Sequence, residues 1–411
     1  MNLDRYLAKS VHELCFADHK MAFLSGPRQC GKTTFAKMML KERGVGRYFN
    51  WDDVEFRKLW TKHPGETNPP SGKAAHAIPL IAYDEIHKAR GWKRTLKGIY
   101  DTRENNADIM VTGSARLNVF MKGGDSLVGR YYHFRMHPFS LGELSGRSRL
   151  APDVLIKHLQ DRSLEMRPEH HDCFAAMMKF GAFPEPFLEH NEKKARLWRS
   201  TRIERVIRED LRDLSRIPEL SRIEMLSSLL PERVGSPLSI NSLKEDLEVG
   251  HETVCRWIEY LKALYYLFEI KPYFRSIARS LRKEGKIYLC DFGEINEPGP
   301  RFENCIASHL LKSCDFWSDT GIGTFNLHYL RNKEKQEIDF LVTRDNKPWL
   351  SVEAKLNDAS PSPHWGKFLR ETGCPCGLQM VSTPGVWKKS LAASGATLIV
   401  ASAEEALLYF V

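Results

Sequence analysis

One glycine-rich segment constrains this chain more than any other feature. Gly26-Pro27-Arg28-Gln29-Cys30-Gly31-Lys32-Thr33 satisfies G-x-x-x-x-G-K-[ST] at every fixed position. Its context fits as well. Met21–Ser25 reads as a short buried strand and Thr34–Arg43 as a helix. A strand feeding a glycine loop feeding a helix aims backbone N–H groups and a helix N-terminus at one point, which suits phosphate. Residues Gly26 to Thr34 are therefore the expected nucleotide cradle. Lys32 would reach the β- and γ-phosphates, and the Thr33 hydroxyl would sit on Mg²⁺. A chance match in an ordinary turn would lack the flanking strand and helix.

A phosphate cradle needs a partner strand carrying acids, and Ile81-Ala82-Tyr83-Asp84-Glu85 supplies one. Asp84 would hold Mg²⁺ through water, and Glu85 would orient and deprotonate the attacking water. Acids after a strand also cap helices, so the pair gains its meaning from the loop upstream. A further strand, Ile109–Thr112, ends in hydroxyl residues. Thr112 or Ser114 would be a polar sensor between the acids and the γ-phosphate, or else a helix N-cap.

The chain has 411 residues, too many for one ordinary core. Its 42% hydrophobic and 27% charged residues are those of a globular protein. A net charge of +9 favours a polyanionic partner such as DNA. Met1–Lys20 lacks a signal-peptide core, and no apolar run approaches the ~20 residues of a membrane span. A cytoplasmic location without membrane contact is expected. The nine cysteines have no C-x-x-C pair and no zinc-like spacing, so they read as reduced and mostly buried. Four segments follow. Residues 1–146 alternate short strands (Met21–Ser25, Arg47–Asn50, Leu80–Asp84, Asp108–Thr112) with helices, with His63–Ala77 as a loop. Residues 147–215 are a helical lid or linker, 216–272 a helix-turn-helix, and 273–411 a second α/β domain.

The order GPRQ-x-GKTT, YDEIH (83–87), TGSARL (112–117) and VGRYYHFRMHPFSLGEL (128–144) resembles a family of prokaryotic AAA-type ATPases. Its members carry a long C-terminal region of poorly defined function. The resemblance covers essentially the whole chain, including the turn Gly181–Phe187 and the segment Arg205–Leu214. Ala182 stands where the family has a second Gly, and His87 where Gln is common. The resemblance implies ATP and Mg²⁺ as cofactors; its AAA-type relatives form rings, and a homo-oligomeric ring stays open here, since no interface can be read from the sequence. Arg130 matches a near-constant arginine. It would be an arginine finger in its own or a neighbour's site, or a structural ion pair. Arg205 and Arg208 are weaker candidates of the same kind.

Leu238–Leu261 reads as helix, glycine turn at Gly250, helix. Val254, Trp257, Ile258 and Leu261 form one apolar face, with His251, Thr253 and Arg256 opposite. The pattern resembles a winged helix-turn-helix, where the second helix often enters a DNA major groove. Glu252 and Glu259 dilute the basic character of that face, so docking of domains is the other use.

The last segment holds a second constellation. Gln336–Thr343 alternates as a strand, Asp345-Asn346-Lys347 signals a turn, and Trp349–Lys355 returns. Residues two apart share a strand face, so Glu353 and Lys355 point together, with Asp339 beside them on the adjacent strand. Two carboxylates and a lysine at one place suit a phosphodiesterase using Mg²⁺ or Mn²⁺. A helix from Arg301 carries Glu303 near its start, and a helix at Trp365–Thr372 and a strand at Gly377–Ser382 follow. The whole resembles the PD-(D/E)xK, restriction-endonuclease-like fold, with Asp339, Glu353, Lys355 and Glu303 on its motif positions. Such domains also persist as binding modules without activity. The expected protein is thus an α/β multidomain chain with a P-loop AAA-type core, a winged-helix middle and a nuclease-like end. It would act on DNA with ATP, and cut it if the end is active. The alternative is a nucleotide-driven switch whose C-terminal domains dock a protein partner.

Overall fold

The computed structural model describes residues 5–68, 78–103, 107–113, 127–146, 150–211, 220–274, 284–357, 359–392 and 395–411. Two compact units emerge. One comprises Asp4–Pro138 with Ala263–Tyr265, and the other Phe139–Lys262 and Tyr266–Val411 with Met1–Leu3.

The first unit is built on β1 (Met21–Ser25), β2 (Gly46–Asn50), β3 (Leu80–Asp84), β4 (Asp108–Thr112) and β5 (Tyr131–Arg135). They form an all-parallel sheet in the order β2-β3-β4-β1-β5. Strands β1, β3 and β4 are buried at every residue, as expected where helices cover both faces of a parallel sheet. Helices α1 (Lys32–Arg43), α2 (Val54–Lys62) and α3 (Trp92–Thr102) connect them. Phe23, Phe49, Phe56, Trp60, Tyr83, Trp92 and Leu96 fill one aromatic-rich core. Gly44 at φ 74° ends α1 in the left-handed region, a conformation glycine adopts without steric cost. Because β4 lies between β1 and β3, the loops leaving all three strands open at one edge of the sheet.

The second unit begins with helices. These are α4 (Pro152–Asp161), α5 (Pro168–Phe180), α6 (Glu192–Arg205) and α7 (Leu220–Leu229), then α8 (Ile240–Leu247) and α9 (His251–Ala263). The Ser239 hydroxyl caps α8 by accepting from Ser242 N–H. Val254, Trp257, Ile258 and Leu261 are all buried on α9, and His251 and Arg256 are exposed. An eight-stranded mixed sheet follows in the order β12-β13-β11-β10-β9-β8-β6-β7. Its strands are β6 (Leu267–Pro272), β7 (Lys286–Leu289), β8 (Phe325–Arg331), β9 (Glu337–Arg344), β10 (Lys347–Lys355), β11 (Cys376–Val381), β12 (Trp387–Leu391) and β13 (Thr397–Ser402). Helices α10 (Pro298–Asp319) and α11 (Trp365–Thr372) cross it. The boundary expected at 272/273 falls between β6 and β7, which pair antiparallel, while β6 also pairs with β8. The helix-turn-helix and the last segment thus share one sheet. Likewise, the compact units divide at 138/139 rather than 146/147.

Two details fix the second unit locally. Asp345 and Asn346 have φ of 50° and 63°, the paired left-handed conformation of a type I′ hairpin turn, and Lys347 pairs with Arg344 directly across it. On α10, the buried Lys312 ammonium donates to Glu143 Oε2 at 2.6 Å and Ser140 Oγ at 2.9 Å. Among the described residues, no helix is long and apolar enough to cross a membrane.

Candidate functional site

The loop between β1 and α1 turns tightly because of what surrounds it. A Cβ on Gly26 would lie 2.2 Å from the Met136 carbonyl oxygen, so no side chain fits there. Gln29 at φ 62° and Gly31 at φ 98° complete the curl into α1. The Arg5 guanidinium braces the loop from outside, donating to the Cys30 carbonyl at 2.8 Å. The buried Lys32 ammonium crosses the loop to the carbonyls of Gly26 (2.9 Å) and Pro27 (2.6 Å). Thr33 and Thr34 lie exposed in the first turn of α1, where free N–H groups and the helix dipole favour an anion.

Asp84 is the hub of the site. It ends β3, is 2% exposed, and accepts three hydroxyl hydrogen bonds. Thr33 donates to Oδ2 at 2.6 Å, Tyr48 to Oδ2 at 2.7 Å and Thr112 to Oδ1 at 2.5 Å. Thr112, one of the two sensor candidates, is thus seated on the acid. Ser114, the other sensor candidate, lies outside the described residues. Tyr48 was not legible beforehand, since nothing in Gly46–Asn50 distinguishes a site tyrosine from an edge-strand aromatic. Burial, then its bond to Asp84, push the Tyr48 phenol pKa up, so it stays a donor.

Glu85 follows in the left-handed region at φ 59°. Burial raises its carboxyl pKa, opposed by Lys32 and Lys88. A raised carboxyl next to a phosphate cradle suits a general base. His87 Nε2 and Lys88 Nζ lie 3.6 and 3.8 Å from Glu85 Oε2. Thr33 and Asp84 offer a hydroxyl and a carboxylate 2.6 Å apart, hard oxygen donors of the kind Mg²⁺ takes beside nucleotide phosphates and water. The residues fit that ion.

Arg130 lies elsewhere in the unit. Its carbonyl accepts from Met21 N–H, at the start of β1. The cradle follows the end of the same strand, roughly 16 Å away at ~3.3 Å per residue. Its guanidinium is paired in a fork with Asp101, at 2.8 and 3.1 Å. Of the readings given for Arg130, the contacts seen are those of an ion pair with Asp101, at the end of the sheet opposite the cradle. Arg208 is likewise paired, with Glu224 at 2.7 Å.

In the second unit Glu303 and Asp339 face a residue the sequence reading missed, while Glu353 and Lys355 pair with each other on β10. Lys286, 1% exposed on β7, lies between the acids. Its ammonium is 3.7 Å from Glu303 and 3.9 Å from Asp339, and it pairs with Glu337. Burial opposes its charge, but Glu303, Asp339 and Glu337 outweigh burial and raise its pKa. Tyr288, two residues along the same strand face, donates to Glu303 Oε1 at 2.6 Å. Burial and the neighbouring Asp339 raise the Glu303 carboxyl. Asp339 Oδ2 accepts from Ala354 N–H at 2.8 Å. Lys355 donates to Glu353 Oε1 at 3.0 Å, while Glu353 Oε2 is buried with no hydrogen-bond partner among the described residues. Among those residues no three His, Cys, Asp or Glu side chains converge as metal ligands. A lone lysine in an otherwise apolar β7 (Lys-Ile-Tyr-Leu) was the signal available.

Comparison with known families follows this division. Residues 18–145 match a family model described as an AAA domain. Over those residues the N-terminal segment is similar to an AAA domain. Residues 172–296 and 298–385 match two models described as domains of unknown function, DUF8612 and DUF4143. An uncharacterised protein of Methanocaldococcus jannaschii is 24% identical, over 69% of this chain and 62% of its own length. One of Mycobacterium tuberculosis is 22% identical, over 80% and 69%. The chain thus spans under two thirds of the first relative. Among solved structures, a replication initiator DnaA bound to AMPPCP and single-stranded DNA is 15% identical with a TM-score of 0.27, over 62% of this chain and 86% of that one. A Pif1 helicase from Bacteroides with ADP-AlF3 and single-stranded DNA is 14% identical with a TM-score of 0.23, over 44% and 50%. At such TM-scores neither carries weight for what this chain binds.

Proposed function

We propose that this protein binds and hydrolyses ATP with Mg²⁺ at the β1–α1 loop and uses that cycle to act on DNA through its second unit. The convergence of Lys32, Thr33, Asp84 and Thr112 at the carboxyl edge of one parallel sheet carries the nucleotide reading. In it, the loop and α1 N–H groups hold the phosphates, and Lys32 moves from loop carbonyls to phosphate oxygens. Thr33 and Asp84 hold Mg²⁺, which would neutralise charge on the transferring group. Glu85 takes the proton of the attacking water, and Thr112 keeps Asp84 oriented. A finger role for Arg130 then requires a neighbouring copy in a ring.

The DNA reading is supported by the +9 charge, by the helix-turn-helix of α8 and α9 followed by the β6–β7 hairpin, which resembles a winged helix, and by the last segment. There the order α10-β8-β9-β10-α11-β11, with β11 parallel to β10, supports a restriction-endonuclease-like reading. Asp339 and Glu353, with Glu303, would hold Mg²⁺ or Mn²⁺ for phosphodiester cleavage, and Lys355 would steady negative charge. A second reading, in which this unit docks a protein partner under nucleotide control, is favoured by the mixed charge of Glu252, Arg256 and Glu259 on α9.

Phosphate release from ATP, with and without single-stranded, duplex and branched DNA, tests the proposal, with metal-dependent cleavage followed in parallel. DNA-stimulated turnover supports it. Turnover indifferent to DNA, with no DNA binding at low salt, moves the assignment to the protein-partner switch.

A further inference from the structure

The carboxylate cluster of the second unit already contains a cation. Lys286 brings its charge from β7, buried to 1% exposure, into a space bounded by Glu303 of α10 and by Glu337 and Asp339 of β9. Gly235, at φ +78°, closes the other side of Glu303. A Cβ there would stand 3.0 Å from both of its carboxylate oxygens. Tyr288 holds Glu303 Oε1, and Tyr329 places its ring 5.5 Å from the Lys286 ammonium. The lysine is thus enclosed and oriented, while the carboxylates that face it remain 17–23% exposed. On β10, one residue before the Ala354 N–H that donates to Asp339, Glu353 is 3% exposed and keeps one oxygen without a hydrogen-bond partner among the described residues, a buried acceptor with capacity for a further cation.

We propose that Lys286 is the resident counter-ion of this cluster, and that it competes with a divalent metal for Glu303 and Asp339. The inference rests on the nuclease-like reading of these carboxylates. Glu303, Glu337 and Asp339 all face the one ammonium, which brings positive charge to them without a metal. A divalent ion entering at Asp339 and Glu353 meets both a positive charge within a few ångströms and acids already engaged. Like-charge repulsion at that range is strong in a partly buried site. The resting site is therefore closed by lysine, and metal enters as Lys286 withdraws from Glu303 and Asp339.

The test is Mn²⁺ binding to the full chain without nucleotide, read by electron paramagnetic resonance and calorimetry rather than by cleavage. Because Thr33 and Asp84 of the cradle would hold Mn²⁺ chiefly together with nucleotide phosphates, leaving nucleotide out isolates the second site. Lys286→Met should bind Mn²⁺ at least about tenfold more tightly than wild type. Adding Asp339→Asn should abolish the gain. Lys286→Gln, whose amide still reaches Glu337, is the variant to use if the methionine protein does not fold, and it should show the same direction. Melting should also diverge, with Mn²⁺ raising the Tm of the Lys286 variants more than that of wild type. Equal Mn²⁺ affinity in wild type and both variants would overturn the competition while leaving a metal site intact. Absence of Mn²⁺ binding in all of them would overturn the inference together with the metal reading on which it rests.

Discussion

Thr112→Val isolates the hub of the nucleotide site. Valine keeps the shape of the side chain inside β4 and deletes only the hydroxyl that donates to Asp84 Oδ1 at 2.5 Å. Donor and acceptor are 1% and 2% exposed, so water cannot replace the lost partner. A hydrogen bond to a charged group contributes about 1.5–3 kcal/mol. Asp84 retains Thr33 and Tyr48 on its other oxygen, which argues for the middle of that range, about 2 kcal/mol. For a unit of this size each kcal/mol moves the melting midpoint by roughly 4 °C, so the shift should be roughly 8 °C downward. Calorimetry on the apo protein reads it, the relevant transition being the one whose midpoint rises when ATP is added. Thr112→Ser retains the hydroxyl and should stay close to wild type. A Thr112→Val midpoint within about 2 °C of wild type would refute the hub, because a buried carboxylate cannot lose a donor without consequence.

Three further outcomes are expected. Glu85→Gln should bind ATP normally and hydrolyse it ~10²–10⁴-fold more slowly, checked by equilibrium binding beside phosphate release. Arg130→Ala should leave ATP affinity of the single chain unchanged within about twofold, because its partner is Asp101 at the far edge of the sheet; fluorescent-nucleotide titration checks this. His309 sets an acid-side slope. Burial, and secondarily Lys312, lower its pKa from 6.5 to about 4, and its Nε2 accepts from Leu141 N–H at 3.0 Å. A depressed folded pKa means that stability is fully present above about pH 6.5 and is lost as pH falls towards 4. Urea unfolding between pH 7 and 4.5 should show that loss in wild type and a shallower one in His309→Gln.

Much of this was written locally in the chain. The expected strands Met21–Ser25, Leu80–Asp84 and Asp108–Thr112 and the helix Trp365–Thr372 coincide with β1, β3, β4 and α11. Continuous apolar runs and a hairpin with two adjacent left-handed residues leave little freedom of interpretation. Strand β5 was not singled out, because Tyr-Tyr-His-Phe-Arg reads as amphipathic and its place is decided by pairing with β1. The sheet that joins β6 and β7 to β8 was hidden for the same reason, since pairing between distant segments leaves no period in either one. The site residues divide in the same way. Lys32 and Thr33 belong to one loop and Asp84 and Glu85 to one strand end, whereas Tyr48 reaches Asp84 from the neighbouring strand and Lys286 reaches acids on β9 and α10 from a strand that pairs with neither. A lysine inside an apolar tetrad is a weak signal until the carboxylates around it are known.

Phosphate release from Mg²⁺-ATP by wild type and by Lys32→Ala, measured side by side on folded protein, tests the central claim most directly. Among the described residues the Lys32 ammonium hydrogen-bonds within its own loop, to Gly26, Pro27 and Cys30, so the substitution should leave the fold intact and abolish turnover. Turnover that survives the loss of Lys32, or a wild-type protein that neither binds nor hydrolyses ATP, would contradict the account.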